Sequence, residues 1–504
     1  MPASLLQYEM LPTTWFFVSS LIIVAAFFKF NRFLSIRNID VVGLILLTPG
    51  QLLLAMKNDQ SGYNWLLWIA CIFCVRMFYD IIMVRRPLLE PNLTPGGLVF
   101  ACVALFAFLI ASVAINRGEQ IDSLRTVRLE QMLTVMVTSS ENQSLELHSV
   151  EPGYPPFWAL ARRTQLLVLP SQQIRHEIVD EPVYTSLFSL KPTRPRNRVK
   201  PSQPLTLSQP QEHDLLAPLP ASIPNTITTE TTLDRSDSDD QIVYESNADI
   251  ELTEQHQESV TRNHFAIPLI TVSVLGHLFI VLGLIFVGHC HFGSIRTGIA
   301  CAMLYLLVPY TNQMIARPDH VIPAAAIVWA FVVYRRPFFA GMLISAASVL
   351  VFYPIFLLPL WFSFYWKRGW VRFLIGIVAS IVILIAVLPA FPESRVHFGE
   401  HLYRIIGGTA FTTTHPNGFW QFHNPIYRIP VIAAFLVVCT GLFLWPTHKH
   451  LATLLSCSAL IMLGVQLWQP HEGGLFIAWY LPLVILTIFR PNLEDRVALA
   501  TVVE

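Results

Sequence analysis

Two acidic side chains directly follow a long apolar segment of the chain. The apolar run 96–115 ends, and Glu119 and Asp122 come next. Residues three apart share a face of a helix, so the two carboxylates would lie side by side at the membrane edge. A carboxylate in that position can act as a general base on an acceptor hydroxyl. A solvated helix end without a chemical role is the alternative interpretation.

Polar turns elsewhere in the chain carry groups that suit an anionic or sugar ligand. Arg317 precedes Pro318 at the start of an apolar helix, and an arginine there can hold a phosphate. Asp319 and His320 can either cap that helix or bind a sugar hydroxyl. His471 opens a second polar turn. The loop 391–428 adds His415, Asn417 and His423.

Tyr154, Pro155 and Pro156 form a stiff segment between two blocks of apolar segments. Consecutive prolines fix two φ angles and remove two N–H donors, so this segment cannot be helix interior. The first proline also pushes Tyr154 to extended geometry. Such a segment can hold the head group of a lipid-linked ligand at the membrane edge. A rigid loop near the bilayer is the alternative.

The composition predicts an all-α polytopic membrane protein with about 12–13 transmembrane segments. Of the 504 residues, 54% are hydrophobic and 13% are charged, against roughly a quarter charged in soluble chains. Apolar runs of about 20 residues recur, which is long enough to span a bilayer. The formal net charge is zero, so no nucleic-acid partner is indicated. The Cys71/Cys74 pair lies mid-segment and is interpreted as apolar filler, with no metal site predicted.

The distribution of basic residues predicts an orientation. Lys and Arg mark cytoplasmic ends of membrane helices. Placing every basic turn inside requires thirteen crossings, with the N-terminus outside and the C-terminus cytoplasmic, in what we expect to be the cell (inner) membrane. The Tyr353-Pro354 pair interrupts two short apolar runs and predicts a broken or partly re-entrant hairpin. Arg76 and Asp80 are four apart and are predicted to pair, whereas Asp40 is predicted to cap a helix.

Four segments follow from the apolar pattern. Residues 1–90 are predicted to be an N-terminal three-helix membrane unit. Residues 91–170 hold the first core helix and a long extracytoplasmic loop. Residues 171–262 are rich in Pro, Ser, Thr, Gln and Asp, and are predicted to be a disordered low-complexity insert. Residues 263–504 are predicted to form a C-terminal multi-helix membrane core.

The order of these features resembles the GT-C class of integral-membrane glycosyltransferases, and within it the family 87 (mannosyltransferase-like) proteins. In that class a long outer loop follows a core helix, with a catalytic acid near its start and often a Tyr-Pro-Pro-Leu string later. Glu119 and Asp122 match the acid, and the string 154–157 matches the second feature. A further similar region covers 317–343 and 353–359, but Val351 takes the place of the usual lysine.

This resemblance, which covers about 96–170 and 265–490, implies an enzyme that moves a sugar, with mannose as a candidate, from a polyprenyl-phosphate donor to an acceptor on the extracytoplasmic face. Asp122, or Glu119 as second choice, would take the acceptor proton. The donor is lipid-linked, so membrane lipid is the expected partner and no cofactor is expected. Oligomeric state is left open. Substrate-binding residues would be Tyr154, Pro155, Pro156, Arg317, Asp319, His320 and His471.

Two other functions remain open from the sequence. A transporter or flippase for a lipid-linked or small solute would use broken helices in paired halves, and the break at Tyr353-Pro354 fits one of them. A non-catalytic relative that serves in assembly is the other, because the usual lysine is replaced by Val351. Convergence of Asp122, Arg317 and His320 at one groove would favour sugar transfer.

Overall fold

A computed structural model describes residues 12–83, 89–115, 270–315, 317–387, 407, 416, 418–446 and 449–491. The chain divides into two compact units, Met1–Leu167 with Thr261–Glu504, and Val168–Val260. All described residues belong to the first unit. The second unit and the predicted insert 171–262 lie outside them, and the division into four segments stays a prediction.

The described part of the chain is helical, with short 3-10 turns and no β-strand. The helices, numbered in chain order, are α1 Pro12–Phe27, α2 Ile36–Ile45, α3 Leu47–Ala55, α4 Asp59–Ile82, α5 Pro95–Ile115, α6 Ile270–Cys290, α7 Ile295–Leu307, α8 Pro309–Gln313, α9 Pro318–Val332, α10 Pro337–Leu350, α11 Leu357–Tyr365, α12 Trp370–Val387, α13 Arg428–Leu444, α14 Leu451–Trp468 and α15 Leu481–Phe489.

Seven apolar helical segments are long enough to cross a membrane. They are Ile36–Ala55, Asp59–Ile82, Pro95–Val113, Ile270–Cys290, Trp370–Val387, Pro425–Leu444 and Leu451–Trp468. Five further apolar helices have 10–17 residues. The prediction of an all-α polytopic membrane protein is therefore confirmed. The count of 12–13 crossings, the orientation of the termini and the choice of membrane stay predictions.

Helix α14 is the central helix of the described bundle. In its most apolar 18-residue window 89% of residues are buried, whereas the corresponding figure is 17% for α5, α12 and α13. It packs against α4, α13 and α15, and all nine residues of α15 are buried. The peripheral helices present apolar side chains outward, which is the surface that lipid tails cover in a membrane protein.

Two glycines bring α10 and α12 into backbone contact. A Cβ atom on Gly376 would lie 2.0 Å from the Phe338 carbonyl oxygen, and one on Gly341 would lie 2.3 Å from the Phe373 carbonyl oxygen. Small residues at helix interfaces allow this close approach, which replaces the hydrophobic driving force that is missing inside lipid. The two helices can therefore pack at this distance only with glycine at these positions.

We expect Gly376→Ala to lower the thermal unfolding temperature of the purified protein. The added methyl must push α10 and α12 apart, at a cost of about 1–3 kcal/mol. Gly441→Ala is the matched control, because Gly441 also lies within a helix but has open space around its Cβ position. That change should raise stability slightly through helix propensity. Thermal unfolding in detergent measures both, and equal effects at the two glycines would contradict the close-contact argument.

The break at Tyr353-Pro354 is confirmed. Helix α10 ends at Leu350, a 3-10 turn spans Tyr353–Phe356, and α11 begins at Leu357. The Tyr353 ring packs 5.6 Å from the Trp468 ring and 5.5 Å from the Trp479 ring, measured between centroids. The irregular backbone is therefore enclosed by protein, as the interior of a membrane requires.

A buried ion-pair network joins helices at one end of the bundle, which we call the Arg490 end. Arg76 contacts Asp40 through Nε at 2.6 Å and Asp80 through Nη1 at 2.9 Å. Arg490, just after α15, donates to Asp80 at 2.9 Å, and Ser456 of α14 donates to the same carboxylate. Burial lowers the pKa of Arg490 from its ordinary value, and the nearby Asp80 carboxylate opposes that shift.

This network confirms one prediction and corrects another. Arg76 and Asp80 pair as their spacing indicates. Asp40 was expected to cap a helix, but that expectation is wrong. It lies in the second turn of α2, and its carboxylate binds Arg76 of α4 in a bidentate pair. A cap forms only at the first residues of a helix, and Ser35 fills that role for α2 by accepting from the Asn38 N–H.

Candidate functional site

A second charged cluster lies at the start of α9, and we call this side of the molecule the Arg317 end. Arg317 precedes α9, with Pro318 as its first residue and Asp319 in its first turn. Arg317 donates from Nη2 to Asp319 Oδ2 at 2.9 Å and from Nε to Asp319 Oδ1 at 3.1 Å. A forked pair of this kind fixes the plane of both groups. Asp319 therefore sits in the first turn, where a carboxylate suits the helix dipole, and also neutralises Arg317.

His320 lies behind Asp319 and is fully buried. Its Nδ1 forms a hydrogen bond with the Tyr310 hydroxyl, and its Nε2 lies 3.5 Å from Asp319 Oδ2. The Nε2 atom is buried and makes no hydrogen bond within the part of the chain that the structure describes.

A turn after α14 completes the cluster. The Glu472 carboxylate lies 3.4 Å from Arg317 Nη2, although the two residues are 155 positions apart. Glu472 has a positive φ of 47°, which is uncommon for a residue with a side chain. The neighbouring Gly473 pairs with Gly418 in an isolated parallel bridge. These contacts bring the turn after α14 and the chain before α13 to the start of α9.

Buried aromatic side chains pack against Asp319 and His320 on the interior side of the cluster. The indole Nε1 of Trp479 donates to the backbone carbonyl of Asp319 at 3.3 Å. The Phe476 ring stacks on Trp479 with centroids 4.3 Å apart, and it lies 4.2 Å from the His320 ring. Phe476 and Trp479 are both buried. They hold the first turn of α9 in place and do not themselves face solvent.

Another buried histidine lies in the same polar interior. His277 of α6 bonds through Nδ1 to the Tyr305 hydroxyl at 2.8 Å. Thr311 in turn donates to the Tyr305 carbonyl at 2.7 Å. Hydrogen-bonding groups therefore continue from the surface at Arg317 into the bundle.

An apolar cavity of about 300 Å³ opens at the same end of the bundle. Its walls come from α4, α13, α14 and the chain segment that follows Gly418. Trp420 closes one side, with its indole Nε1 donating to the Leu467 carbonyl at 3.2 Å. The segment contributes His423 and Tyr427 as well. The cavity has the size and lining of a site for the apolar part of a small ligand.

The structure brings together four of the residues selected from the sequence. Arg317, Asp319 and His320 form one cluster, and His471 lies in the turn next to Glu472. Five of them lie outside the described residues, namely Asp122, Glu119, Tyr154, Pro155 and Pro156. Val351 follows the last residue of α10 and is buried beside the turn at Tyr353.

Sequence reasoning did not select Glu472, Tyr310 or Trp479 as site residues. Glu472 was visible as a member of a polar turn, and the Gly-Gly pair after it marks a tight backbone. Tyr310 follows Pro309 ten residues before His320, in a short helix that periodicity does not reveal. In the part of the chain that the structure describes, no three His, Cys, Asp or Glu side chains are placed to hold a metal ion.

These features define an integral membrane protein of the all-α polytopic class, with a charged cluster at one end of its helices. Comparisons of the chain with protein-family models, curated proteins and solved structures find no match. The function is therefore argued from the cluster itself.

Proposed function

We propose that the protein is a membrane glycosyltransferase that moves a sugar from a polyprenyl-phosphate donor to an acceptor at the Arg317 end. The observation that supports this most is the cluster of Arg317, Asp319 and Glu472 at the end of an apolar bundle. The Arg317–Asp319 pair is largely enclosed, and enclosed charges in a membrane protein are costly unless they are paired or used. Arg317 is 17% exposed and Glu472 is 32% exposed, so a ligand can reach both side chains.

The chemistry of the donor fits the two kinds of surface at this end. A guanidinium recognises a phosphate through its fork of N–H donors, and carboxylates accept hydrogen bonds from sugar hydroxyls. The apolar cavity beside Trp420 and Tyr427 suits part of an isoprenoid chain. A lipid-linked donor also explains why such an enzyme is embedded in a membrane.

In the proposed reaction an acceptor hydroxyl oxygen attacks the anomeric carbon of the sugar. The bond between that carbon and the phosphate oxygen breaks, and polyprenyl phosphate leaves. The acceptor proton passes to a carboxylate, for which we propose Asp122, with Glu119 as second choice. Arg317 offsets the charge on the leaving phosphate. His320 is buried behind Asp319, so we assign it to positioning Asp319.

A transporter or flippase is the second candidate, and one observation favours it. Gln51 of α3 and Gln466 of α14 are buried. Both amide atoms of Gln51 and the Nε2 atom of Gln466 make no hydrogen bond within the described residues. Buried polar atoms without partners suit a polar solute that passes through the bundle. An assay with the protein reconstituted into lipid vesicles distinguishes the two functions. Sugar transfer cleaves the donor lipid, whereas transport moves it across the bilayer intact.

We expect Arg317→Lys to weaken the use of the donor by about tenfold, because a lysine keeps the charge but loses the fork. The assay measures transfer of labelled mannose from polyprenyl-phosphate mannose by protein in nanodiscs. Arg335→Lys is the matched control, since Arg335 is exposed and follows α9 at its other end. Unchanged kinetics in Arg317→Lys would remove Arg317 from the donor site. Absence of transfer by the wild-type protein with several sugars would overturn the proposed function.

A further inference from the structure

Arg317 is bound by two carboxylates that differ sharply in how they are held. Asp319 receives three contacts between 2.9 and 3.3 Å, and its side chain is 4% exposed. Within the described part of the chain, the Glu472 carboxylate makes one ion-pair contact with Arg317, at 3.4 Å, and its side chain is 32% exposed. The first pair is short, forked and enclosed. The second is long, single and open to an approaching ligand.

Asp319 is fixed by its surroundings. Its backbone carbonyl accepts from Trp479, and its carboxylate faces both Arg317 and the Nε2 of His320. If this carboxylate moved away, the largely enclosed Arg317 guanidinium would lose its forked partner, which costs more than loss of an exposed partner. Asp319 is therefore the permanent counter-ion of Arg317.

The backbone at Glu472 is also fixed, but its side chain is not. A Cβ on Gly418 would lie 2.8 Å from the Glu472 Cα atom, so the two segments touch. The Glu472 carbonyl accepts from the Leu475 N–H at 2.9 Å, and the Gly474 N–H donates to Gln466. Three rotatable side-chain bonds remain, so the carboxylate can leave Arg317 by rotation alone.

The charges of the cluster make such a movement necessary for an anionic ligand. Among the described residues, one guanidinium faces two carboxylates, so these three side chains together carry a net negative charge. A phosphate that approaches Arg317 meets the Glu472 carboxylate on the open side. The attraction to Arg317 becomes favourable only when that carboxylate moves away.

We propose that Glu472 is a displaceable counter-ion, whose carboxylate occupies the place on Arg317 that the phosphate of a lipid-linked ligand takes. This inference rests on the proposed function for the identity of the ligand. It makes Glu472 a specificity residue, because a neutral lipid cannot displace the carboxylate and a lipid phosphate can. The αL backbone and the contact with Gly418 hold Glu472 beside Arg317 in the absence of that phosphate.

Binding of farnesyl phosphate to the full-length protein in nanodiscs tests this without turnover. We expect Glu472→Gln to bind it about three- to tenfold more tightly than wild type, because a competing charge has been removed. Glu472→Gly is the second variant, since glycine accepts the positive φ without strain and also removes the carboxylate. It should show the same gain.

Two controls separate displacement from general effects. Farnesol lacks the phosphate, so its binding should be the same in wild type and both variants. Asp59 is an exposed carboxylate at the start of α4, at the same end of the bundle, and Asp59→Asn should bind farnesyl phosphate like wild type.

Unchanged or weaker binding of farnesyl phosphate in both Glu472 variants overturns the inference, as does an equal gain for farnesol or in Asp59→Asn. The proposed function is judged separately, by transfer of sugar in the wild-type protein. A protein that shows the Glu472 gain but transfers no sugar binds lipid phosphates for another purpose.

Discussion

Asp80→Ala should lower the free energy of unfolding by about 3–5 kcal/mol, which is the usual cost of removing one partner from a buried ion pair. The Asp80 carboxylate is fully buried and receives Arg76, Arg490 and the Ser456 hydroxyl. Without it, and counting the described residues alone, Arg490 loses its carboxylate partner and Arg76 keeps Asp40. The effect is read as a fall in the thermal unfolding temperature of the protein in detergent.

A double variant shows whether the loss comes from unbalanced charge. Asp80→Leu combined with Arg490→Met removes one charge of each sign and replaces both with apolar groups. Such replacements are often close to neutral, so the double variant should be more stable than Asp80→Leu alone. Asp59→Ala removes an exposed carboxylate from the same helix and should change stability little. A double variant as unstable as Asp80→Leu would contradict the charge-balance argument.

Asp122→Asn should reduce sugar transfer by about 10²- to 10⁴-fold, the range typical for loss of a general base. An amide cannot take up the acceptor proton, although it has the shape of the carboxylate. We expect the variant protein to accumulate to the wild-type level, because asparagine keeps the shape and polarity of aspartate. Transfer of labelled sugar at saturating donor measures the loss.

Glu119→Gln separates the two candidate bases. We expect the Glu119→Gln variant to keep most of the transfer activity if Asp122 is the general base. The variant should lose that activity if Glu119 is the general base. Glu90→Gln is the matched control, since Glu90 is an exposed glutamate that precedes α5. Full activity in both Asp122→Asn and Glu119→Gln would remove both residues from catalysis.

The presence of the membrane helices could be predicted from the sequence, because the length of an apolar run is enough to indicate a membrane span. Whether a helix lies at the centre or the periphery of the bundle could not be predicted, because lipid tails are as apolar as a protein core. Trp370–Val387 has a mean hydropathy of 2.6 and is mostly peripheral, whereas Leu451–Trp468 has 1.8 and is central. Hydropathy ranks these two helices in the opposite order to their burial.

Local contacts within the site were predictable, and distant ones were not. Arg317, Asp319 and His320 are neighbours in the chain, so their cluster is visible in the sequence. The same holds for Arg76 and Asp80, which are four apart on one helix. The pair of Arg76 with Asp40 joins residues 36 positions apart in the chain, and the pair of Arg317 with Glu472 joins residues 155 positions apart. No periodicity carries that information.

Helix α14 has a mechanical consequence for the two charged clusters. Ser456 ties it to Asp80, and ten residues later Gln466 accepts from the Gly474 N–H in the turn that carries Glu472. Ten residues of α-helix extend about 15 Å. Helix α14 thus links the Arg490 end and the Arg317 end of the bundle. A ligand bound to Arg317 should therefore also slow amide hydrogen exchange in the first turns of α14, near Ser456.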